Sequence, residues 1–354
     1  MSTVSFELEY PFLSSFSSEF VNPDLSLQGK NQKTIGTHSG TFHCDEVMAC
    51  YLLRMTQEYK AARIIRTRDY SVLEKLDCVV DVGDVYDPST NRFDHHQRSF
   101  SDTFGGKYST IRLSSAGLIW KHFGLEVLGN LTGITDPSTL DLLHTNIYRS
   151  LFLALDAIDN GVTPYDIKEP AKYSDTTTLA QRVSRINPPW NFSDKDADSR
   201  FEKAMQFCKL EFLVVLDYYL SQWLPARQIV KDSLEARLEV HPSGGIVRLS
   251  TFCPWKSHIQ QLEEEKGVIV YYVLYQDSSS NWRVQCVEVP GQEFCSRLPL
   301  PEEWRGKRDQ ALAEVSGVQD AGFVHHSGFI GGAKSYEGVL AMANISLGQL
   351  NNSP

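Results

Sequence analysis

The sequence predicts an α/β protein built from two domains, and two observations support this fold class. Short apolar segments alternate with amphipathic segments in the first half of the chain, a pattern typical of a mostly parallel sheet flanked by helices. The 354 residues are enough for about two domains, and a segment rich in Pro, Asp and Ser at 187–199 separates the first half from the second. We therefore expect an N-terminal domain with a mostly parallel sheet, followed by a smaller C-terminal α/β domain.

The elements of the first half follow from hydrophobic periodicity and from residues that favour helix ends. A continuous apolar run, as in the last of the predicted strands, is typical of a buried parallel strand, and glycine is expected just after a helix. Gly124 and Asn160-Gly161 are accordingly the predicted ends of the last two helices. The predicted strands are 33–40, 62–69 and 77–84, and the predicted helices are 44–59, 114–124 and 141–161.

The second half begins with a long helical stretch that crosses Pro225. Two β-rich segments separated by "SSSN" then predict an antiparallel hairpin. These elements are a helix at 199–234, strands at 267–277, 282–289 and 322–329, a helix at 308–316, a Gly-Gly turn at 331–332 and a last helix at 335–347. The predicted organisation is a lead-in at 1–33, a catalytic domain at 34–200, a helical connector at 201–230 and a C-terminal domain at 231–354.

The composition excludes several broad classes of protein. A formal net charge of −10 argues against a surface that binds nucleic acid or anionic lipid over a wide area. No apolar run approaches the roughly 18 residues that a membrane-spanning helix needs, and the lead-in fits neither a secretory signal nor a mitochondrial presequence. The seven cysteines are scattered without a CxxC pair, which indicates reduced thiols in an intracellular protein.

Histidine and aspartate side chains gather in four short clusters near the ends of predicted elements. The clusters are His38, His43 and Asp45, then Asp81 and Asp84, then Asp94, His95 and His96, and finally Asp156 and Asp159. The carboxyl ends of parallel strands share one edge of a sheet, so clusters far apart in sequence can converge there. Each cluster alone fits a turn, a helix cap or a hydrogen-bonded histidine. Together, and without thiolates, they predict a hydrolase with two divalent cations, Mn²⁺ or Mg²⁺ rather than structural zinc.

The triplet at 94–96, with a His…Asp motif and a strand-ending Asp before it, resembles the DHH phosphoesterase superfamily. More closely, "GTHSGTFHCDEVMACYLL", "DVGDVYDPSTNRFDHHQRSF", "LSSAGLIWKHFG", "DAIDNG" and "FVHHSGFIGG" resemble the melanocyte-proliferating-gene exonuclease family, over about residues 33–346. The resemblance implies a DHH-type domain followed by a DHHA1-like domain. It also implies 3′-to-5′ exonuclease activity on single-stranded RNA, with metal-activated water attacking the terminal phosphodiester, in the nucleus and mitochondria.

The resemblance further implies a set of metal ligands drawn from all four clusters. Asp81 would bridge the two cations, and Asp156 is preferred to its rival Asp159 in the last cluster. The superfamily usually carries a carboxylate where this chain has His43, which favours a softer ion such as Mn²⁺. The implied metal ligands are His38, His43, Asp45, Asp81, His95, Asp156 and Asp159.

Two residues of the triplet and one shortly after it have expected roles other than binding a metal. Asp94 would orient a ligand through a hydrogen bond, His96 would face the phosphate, and Arg98 would contact it as well. With Asp81, the residues Asp94 and His96 form the predicted catalytic set.

The expected substrate contacts elsewhere in the chain are basic residues and glycines. Basic residues beside an aromatic ring such as Trp190 suit a single-stranded nucleic acid. These expected contacts are Arg182, Arg185, Gly331, Gly332 and Lys334. Two alternatives stay open at this point: a hydrolase of small phosphate compounds, and a metal-binding scaffold without catalysis. We expect no membrane partner, and a homodimer is compatible with the sequence.

Overall fold

The computed structural model describes residues 16–17, 20, 32–165, 172–191, 196–292 and 294–352, so the predicted lead-in lies almost wholly outside the described residues. Internal contacts divide the chain into two units, Met1–Asp217 and Tyr218–Pro354, and this division lies inside the predicted connector. Both units are mixed α/β, and each contains a five-stranded sheet. No helix in the described part of the chain is long and apolar enough to cross a membrane.

The sheet of the first unit has the strand order β2-β1-β3-β5-β4. All of its pairs are parallel except β4 with β5, and β6 and β7 form a separate antiparallel pair. The strands of this unit are β1 (Thr34–Thr37), β2 (Arg63–Arg66), β3 (Cys78–Val80), β4 (Tyr86–Asp87), β5 (Arg92–Phe93), β6 (Thr103–Gly105) and β7 (Tyr108–Arg112). The three predicted strands are thus confirmed in shorter form, whereas β4 to β7 escaped prediction because they are short and lack alternation.

Helices of the first unit begin at polar caps, because side-chain oxygens of Ser114, Asp136 and Thr178 accept hydrogen bonds from first-turn N–H groups. A π-helical turn at Tyr148–Phe152 connects two of the helices into one long rod. The helices are α1 (Cys44–Leu53), α2 (Tyr70–Leu73), α3 (Ser115–Thr132), α4 (Pro137–Ile147), α5 (Leu153–Asp159), α6 (Leu179–Ser184) and α7 (Ala197–Tyr218).

One predicted helix end was wrong. Helix α3 continues through Gly124 and ends at Gly133, which has a φ of 71°. A Cβ atom on Gly124 would lie 2.6 Å from Cδ2 of His144. The glycine therefore permits close packing against α4 rather than ending the helix. Nearby, Trp120 is buried and stacks on Phe152 with ring centroids 4.5 Å apart.

The sheet of the second unit has the order β11-β12-β10-β9-β8, with β8 and β9 parallel and the other pairs antiparallel. The predicted hairpin is confirmed as β9 and β10, and Pro225 lies in the first turn of a helix, where proline is tolerated. The elements are α8 (Leu224–Glu235), α9 (Arg237–Val240), β8 (Ile246–Arg248), α10 (Lys256–Lys266), β9 (Tyr272–Gln276), β10 (Trp282–Cys286), α11 (Asp309–Ser316), β11 (Ala321–Val324), β12 (Ile330–Ala333) and α12 (Tyr336–Gly348).

The predicted Gly-Gly turn was also wrong. Gly331 and Gly332 are buried inside β12, which has neighbouring strands on both sides. A Cβ atom on Gly331 would lie 2.9 Å from Cδ1 of Leu300, and one on Gly332 would meet the guanidinium of Arg283. These glycines are explained by the close packing of neighbouring side chains on the strand.

Candidate metal centre

Three neighbouring parallel strands of the first unit end in residues of the predicted clusters. His38 follows β1, Asp81 follows β3, and Asp94 follows β5, and these strands are adjacent in the order β1-β3-β5. Helix α1 begins beside them with Asp45 in its first turn. Parallel pairing thus brings residues that are distant in sequence to one edge of the sheet.

Glu46, in the first turn of α1, joins the centre although the sequence analysis did not single it out. Its carboxylate is fully buried and accepts hydrogen bonds from the backbone N–H of His43 at 2.8 and 3.0 Å. Its Oε1 also lies 2.9 Å from Nε2 of His38. The available signal was the carboxylate next to Asp45, but acids in the first turn of a helix are also favoured by the helix dipole and do not by themselves indicate a ligand.

The side chains form three groups that could each hold a metal ion, since the ligand atoms within a group lie within 4.8 Å of one another. Asp81 belongs to the first two groups and His95 to the last two, so the groups form a connected series. The groups are His38, His43, Glu46 and Asp81, then Asp81, His95 and His96, then Asp45, His95 and Asp159.

Asp81 lies at the middle of this series. Its Oδ2 lies 3.4 Å from Nε2 of His38, and its Oδ1 lies 3.2 Å from Nε2 of His95. Ser115 donates a hydrogen bond from Oγ to the same Oδ1 at 3.2 Å. Burial raises the pKa of Asp81, but the close imidazoles of His38 and His95 outweigh burial and hold this pKa well below its usual value.

The charged partners of His38 shift its pKa in the opposite direction. Burial lowers the pKa of His38, whereas the hydrogen bonds to Asp81 and Glu46 outweigh it and raise the pKa to about 10. On its other side, Nδ1 of His38 lies 3.1 Å from a guanidinium nitrogen of Arg68 and 3.2 Å from the carbonyl oxygen of Ser39.

Two buried atoms of the centre lack a hydrogen-bond partner among the described residues: Oδ1 of Asp45 and Nε2 of His95. The latter lies 3.2 Å from Oδ2 of Asp159 and 3.9 Å from Oδ2 of Asp45, without hydrogen-bond geometry. Burial raises the pKa of Asp45, and the neighbouring charges of Asp81 and Asp159 raise it further. Unsatisfied carboxylate and imidazole atoms in a buried site fit divalent cations that take oxygen and nitrogen ligands.

Asp94 connects two loops at the entrance of the centre. Its Oδ2 accepts a hydrogen bond from the backbone N–H of Asp84 at 2.7 Å, and its Oδ1 lies 2.7 Å from Nδ1 of His96. This hydrogen bond raises the pKa of His96 to about 9. Asp81 and Asp84 both have positive φ, 58° and 54°, a strained conformation that the surrounding hydrogen bonds must hold.

Asp156, the preferred ligand of the last cluster, lies outside the three groups. Its Oδ1 accepts hydrogen bonds from the backbone N–H and Oγ of Ser114 at 2.9 and 2.7 Å, and its Oδ2 accepts one from Tyr148 at 2.9 Å. Burial raises the pKa of Asp156 to about 7. Asp159, one turn further along α5, is the member of this cluster that lies beside His95.

Two cavities open at the centre, and His43 lines both of them. The polar cavity has a volume of about 400 Å³ and the mixed cavity one of about 330 Å³. The polar cavity is lined by His38, His43, Arg68, Tyr70, Asp81, Val82, Gly83, Asp84, Asp94 and His96. The mixed cavity is lined by His43, Cys44, Asp45, Leu155, Ile158, Asp159, Ala180, Gln181 and Ser184.

The expected basic contacts in the first unit are absent from the residues that line these two cavities. Arg98 is exposed. Arg182 lies over the ring of Phe207 at 4.4 Å, and Arg185 donates a hydrogen bond to the carbonyl oxygen of Thr176 at 2.7 Å. Trp190 is 89% exposed.

In the second unit, Lys334 is exposed. The strand position of Gly331 and Gly332 leaves their N–H groups less accessible to a substrate than a turn would. Arg68, in the loop after β2, and Tyr70, at the start of the short helix α2, were not predicted, because single side chains at such positions carry no periodic signal.

Comparison with known proteins gives a family match over nearly the whole chain. The family model MYG1_exonuc, described as "Uncharacterised protein family (UPF0160)", matches residues 34–347. A human protein named MYG1 exonuclease is 48% identical over 328 residues, which cover 90% of this chain and 87% of the relative. A MYG1 protein of Dictyostelium discoideum is 46% identical, covering 91% of this chain and 97% of the relative. No solved structure matches the chain.

Proposed function

Since this chain belongs to the MYG1_exonuc family, we propose that it is a metal-dependent phosphodiesterase that removes nucleotides from the 3′ end of single-stranded RNA. The relatives named exonucleases support the cleavage of nucleic acid from an end. The choice of RNA and of the 3′ end follows the resemblance to the melanocyte-proliferating-gene exonucleases. A DHH-type architecture with a DHHA1-like second domain is part of the same proposal.

The observation that carries the proposal is the position of Asp81 between two ligand groups. One of its carboxylate oxygens approaches His38 and the other approaches His95. A carboxylate shared in this way is suited to bridge two cations, the arrangement used in two-metal phosphodiester hydrolysis.

The proposed ligands divide between two cations that share Asp81. The first cation would be held by the group of His38, His43, Glu46 and Asp81. The second would be held by the group of Asp45, His95 and Asp159, together with Asp81, whose Oδ1 lies 3.2 Å from Nε2 of His95. Bound divalent cations would supply an activated water and stabilise the charge on the phosphate oxygens. Three imidazoles among the donors favour Mn²⁺ over Mg²⁺.

The protein's own contribution at the entrance comes from Asp94 and His96. Asp94 holds His96 through the bond between Oδ1 and Nδ1 at 2.7 Å, which fixes the ring and leaves Nε2 for another partner. His96 lines the polar cavity. We therefore assign it the task of donating a hydrogen bond to a phosphate oxygen of the substrate.

The test is the variant Asp81→Asn, which keeps the shape of the side chain and removes its bridging charge. We expect Mn²⁺-dependent shortening of 5′-labelled single-stranded RNA to fall at least about 100-fold, measured by gel electrophoresis of the products. Asp141→Asn is the matched control, because Asp141 is exposed on α4 and belongs to none of the three ligand groups. Undiminished activity of Asp81→Asn would contradict the proposal.

A second candidate is the hydrolysis of small phosphate compounds such as dinucleotides or pyrophosphate. The net charge of −10 and the cavity of about 400 Å³ fit a small substrate as well as a chain end. Comparing kcat/KM for a dinucleotide with kcat/KM for a longer single-stranded RNA separates the two functions. A higher value for the dinucleotide favours the second candidate.

A further inference from the structure

The polar cavity holds two side chains that the proposed chemistry does not use, Arg68 and Tyr70. We propose that this cavity is a mononucleotide subsite in which Arg68 binds the phosphate and the ring of Tyr70 stacks on the base. The inference rests on the proposed function, because it names where the terminal nucleotide lies. A volume of about 400 Å³ falls within the range of roughly 300–1,000 Å³ that small-molecule sites occupy.

Arg68 is fixed beside the metal centre. Its Nε donates a hydrogen bond to the carbonyl oxygen of Ser39 at 3.2 Å, and Nη2 lies 3.1 Å from Nδ1 of His38. These contacts place the guanidinium on the wall that also carries a proposed metal ligand. A guanidinium has five N–H groups in a planar fork that matches phosphate oxygens, so these two contacts leave donors for a ligand.

The charges around the cavity favour such a group. Six carboxylates belong to the ligand groups or line the polar cavity: Asp45, Glu46, Asp81, Asp84, Asp94 and Asp159. Two divalent cations carry four positive charges, so two negative charges remain when all six are ionised, and a phosphodiester adds another. Arg68 is the one arginine or lysine among the described residues that line the two cavities. It therefore supplies a permanent positive charge, in addition to the hydrogen bond assigned to His96, that offsets the repulsion of a phosphate.

Tyr70 supplies an aromatic surface at the same cavity. Its side chain is 57% exposed, yet its hydroxyl donates a hydrogen bond to Oδ2 of Asp84 at 3.1 Å. The ring is thus anchored at its polar tip while the rest of its surface is open to solvent. Exposed rings held in this way are the stacking surfaces on which nucleic-acid bases bind without sequence preference.

The experiment is a calorimetric titration of the Mn²⁺-loaded full chain with AMP, adenosine and ribose 5-phosphate. Arg68→Ala should lower the affinity for AMP and for ribose 5-phosphate at least about tenfold, because a charge-assisted hydrogen bond is lost. The affinity for adenosine should not change. Tyr70→Ala should lower the affinity for AMP and for adenosine about tenfold, because a stacking surface is lost. The affinity for ribose 5-phosphate should not change. Tyr70→Phe should retain the binding of adenosine, and Arg68→Lys should recover part of the loss.

Arg63→Ala is the matched control, because it removes the same charge from an exposed position in β2 that lines neither cavity. The metal content of each variant is measured in parallel. Equal weakening of all three ligands, or loss of metal from Arg68→Ala, would show a structural role and overturn the subsite. Failure of AMP to bind the wild-type protein would overturn it as well.

The outcome also separates this subsite from the proposed function. Ligand-selective binding without cleavage of RNA would retain the subsite and contradict the exonuclease. Cleavage of RNA with an unchanged KM in Arg68→Ala and Tyr70→Ala would retain the exonuclease and contradict the subsite.

Discussion

Helix α5 carries two acidic residues one turn apart, and their surroundings differ in how the carboxylates are satisfied. Asp156 is completely buried and accepts three hydrogen bonds, two from Ser114 and one from Tyr148. Asp159 lies beside His95 in the metal centre. There, Oδ1 of Asp45 and Nε2 of His95 are without a hydrogen-bond partner among the described residues.

The difference shows that burial of a carboxylate does not by itself identify a metal ligand. A buried carboxylate that already has its donors, as Asp156 has, is a structural group that joins α5 to the start of α3. A buried group of carboxylates and imidazoles that is short of donors is unfavourable until a cation compensates it. The deficit of donors, rather than the depth of burial, therefore marks the candidate metal centre.

Opposite effects of Asp159→Ala and Asp156→Ala would sharpen this comparison most. We expect Asp159→Ala to lower Mn²⁺-dependent activity at least about 100-fold without lowering the free energy of unfolding of the metal-free protein, because like charges are removed. We expect Asp156→Ala to lower that free energy by about 3 kcal/mol, because donors on Ser114 and Tyr148 lose their acceptor. RNA cleavage assays over a range of Mn²⁺ concentrations measure the activity, and urea denaturation of the metal-free protein measures the free energy of unfolding.

Asp141→Ala, at an exposed position of α4, is a control of the same size for the stability measurement. Loss of Mn²⁺ binding in Asp156→Ala, with retention in Asp159→Ala, would reverse the assignment of the two aspartates and restore the choice made from the sequence.

Binding of Mn²⁺ should raise the stability of the protein only through the buried carboxylates and imidazoles of the candidate metal centre, which are short of hydrogen-bond donors among the described residues. Each Mn²⁺ ion bound at a free concentration of 100 times its Kd raises the free energy of unfolding by about 2.7 kcal/mol when the unfolded chain does not bind it. We expect thermal denaturation of the wild-type protein to show this gain and EDTA to remove it. In Asp45→Asn the gain should shrink, while the metal-free protein should be no less stable, because a buried and poorly satisfied charge has been removed.

A full Mn²⁺-dependent gain in Asp45→Asn would mean that the cation binds elsewhere. Asp141→Asn provides the comparison, since it removes one exposed carboxylate outside the three ligand groups and should keep the whole gain.

The sequence predicted the main strands of the first unit and identified most residues of the candidate metal centre. His38 and Asp81 could be found because each directly follows a short, mostly buried strand, where sheet topology alone brings side chains together. Glu46 and the choice between Asp156 and Asp159 could not be found in this way. Both depend on which direction a helical residue faces, and that is decided by packing between α1, α3 and α5.

Glycine was the other source of error, because the same residue serves several purposes. Gly124 was predicted to end a helix and Gly331-Gly332 to form a turn, whereas both sites lie inside regular elements against close neighbours. A single sequence does not reveal which side chain approaches a glycine from elsewhere in the fold. The helix end at Gly133, with its positive φ, shows the use that the prediction had assumed.

The smallest expected effect concerns Asp156, whose carboxylate already has its hydrogen-bond donors. It is tested at Gly117, in the first turn of α3. A Cβ atom on Gly117 would overlap both carboxylate oxygens of Asp156, which are fixed by their hydrogen bonds to Ser114 and Tyr148. We expect Gly117→Ala to lower the free energy of unfolding by about 2 kcal/mol, as overpacking does.

Gly129→Ala is the matched control in the same helix, because its nearest neighbour, the carbonyl oxygen of Ile134, lies 3.7 Å away. It should stabilise the protein by up to about 1 kcal/mol, since alanine is the better helix former. Equal responses of the two variants in urea denaturation would mean that Asp156 can move aside, and its hydrogen bonds would then not be the rigid connection between α5 and α3 that distinguishes it from Asp159.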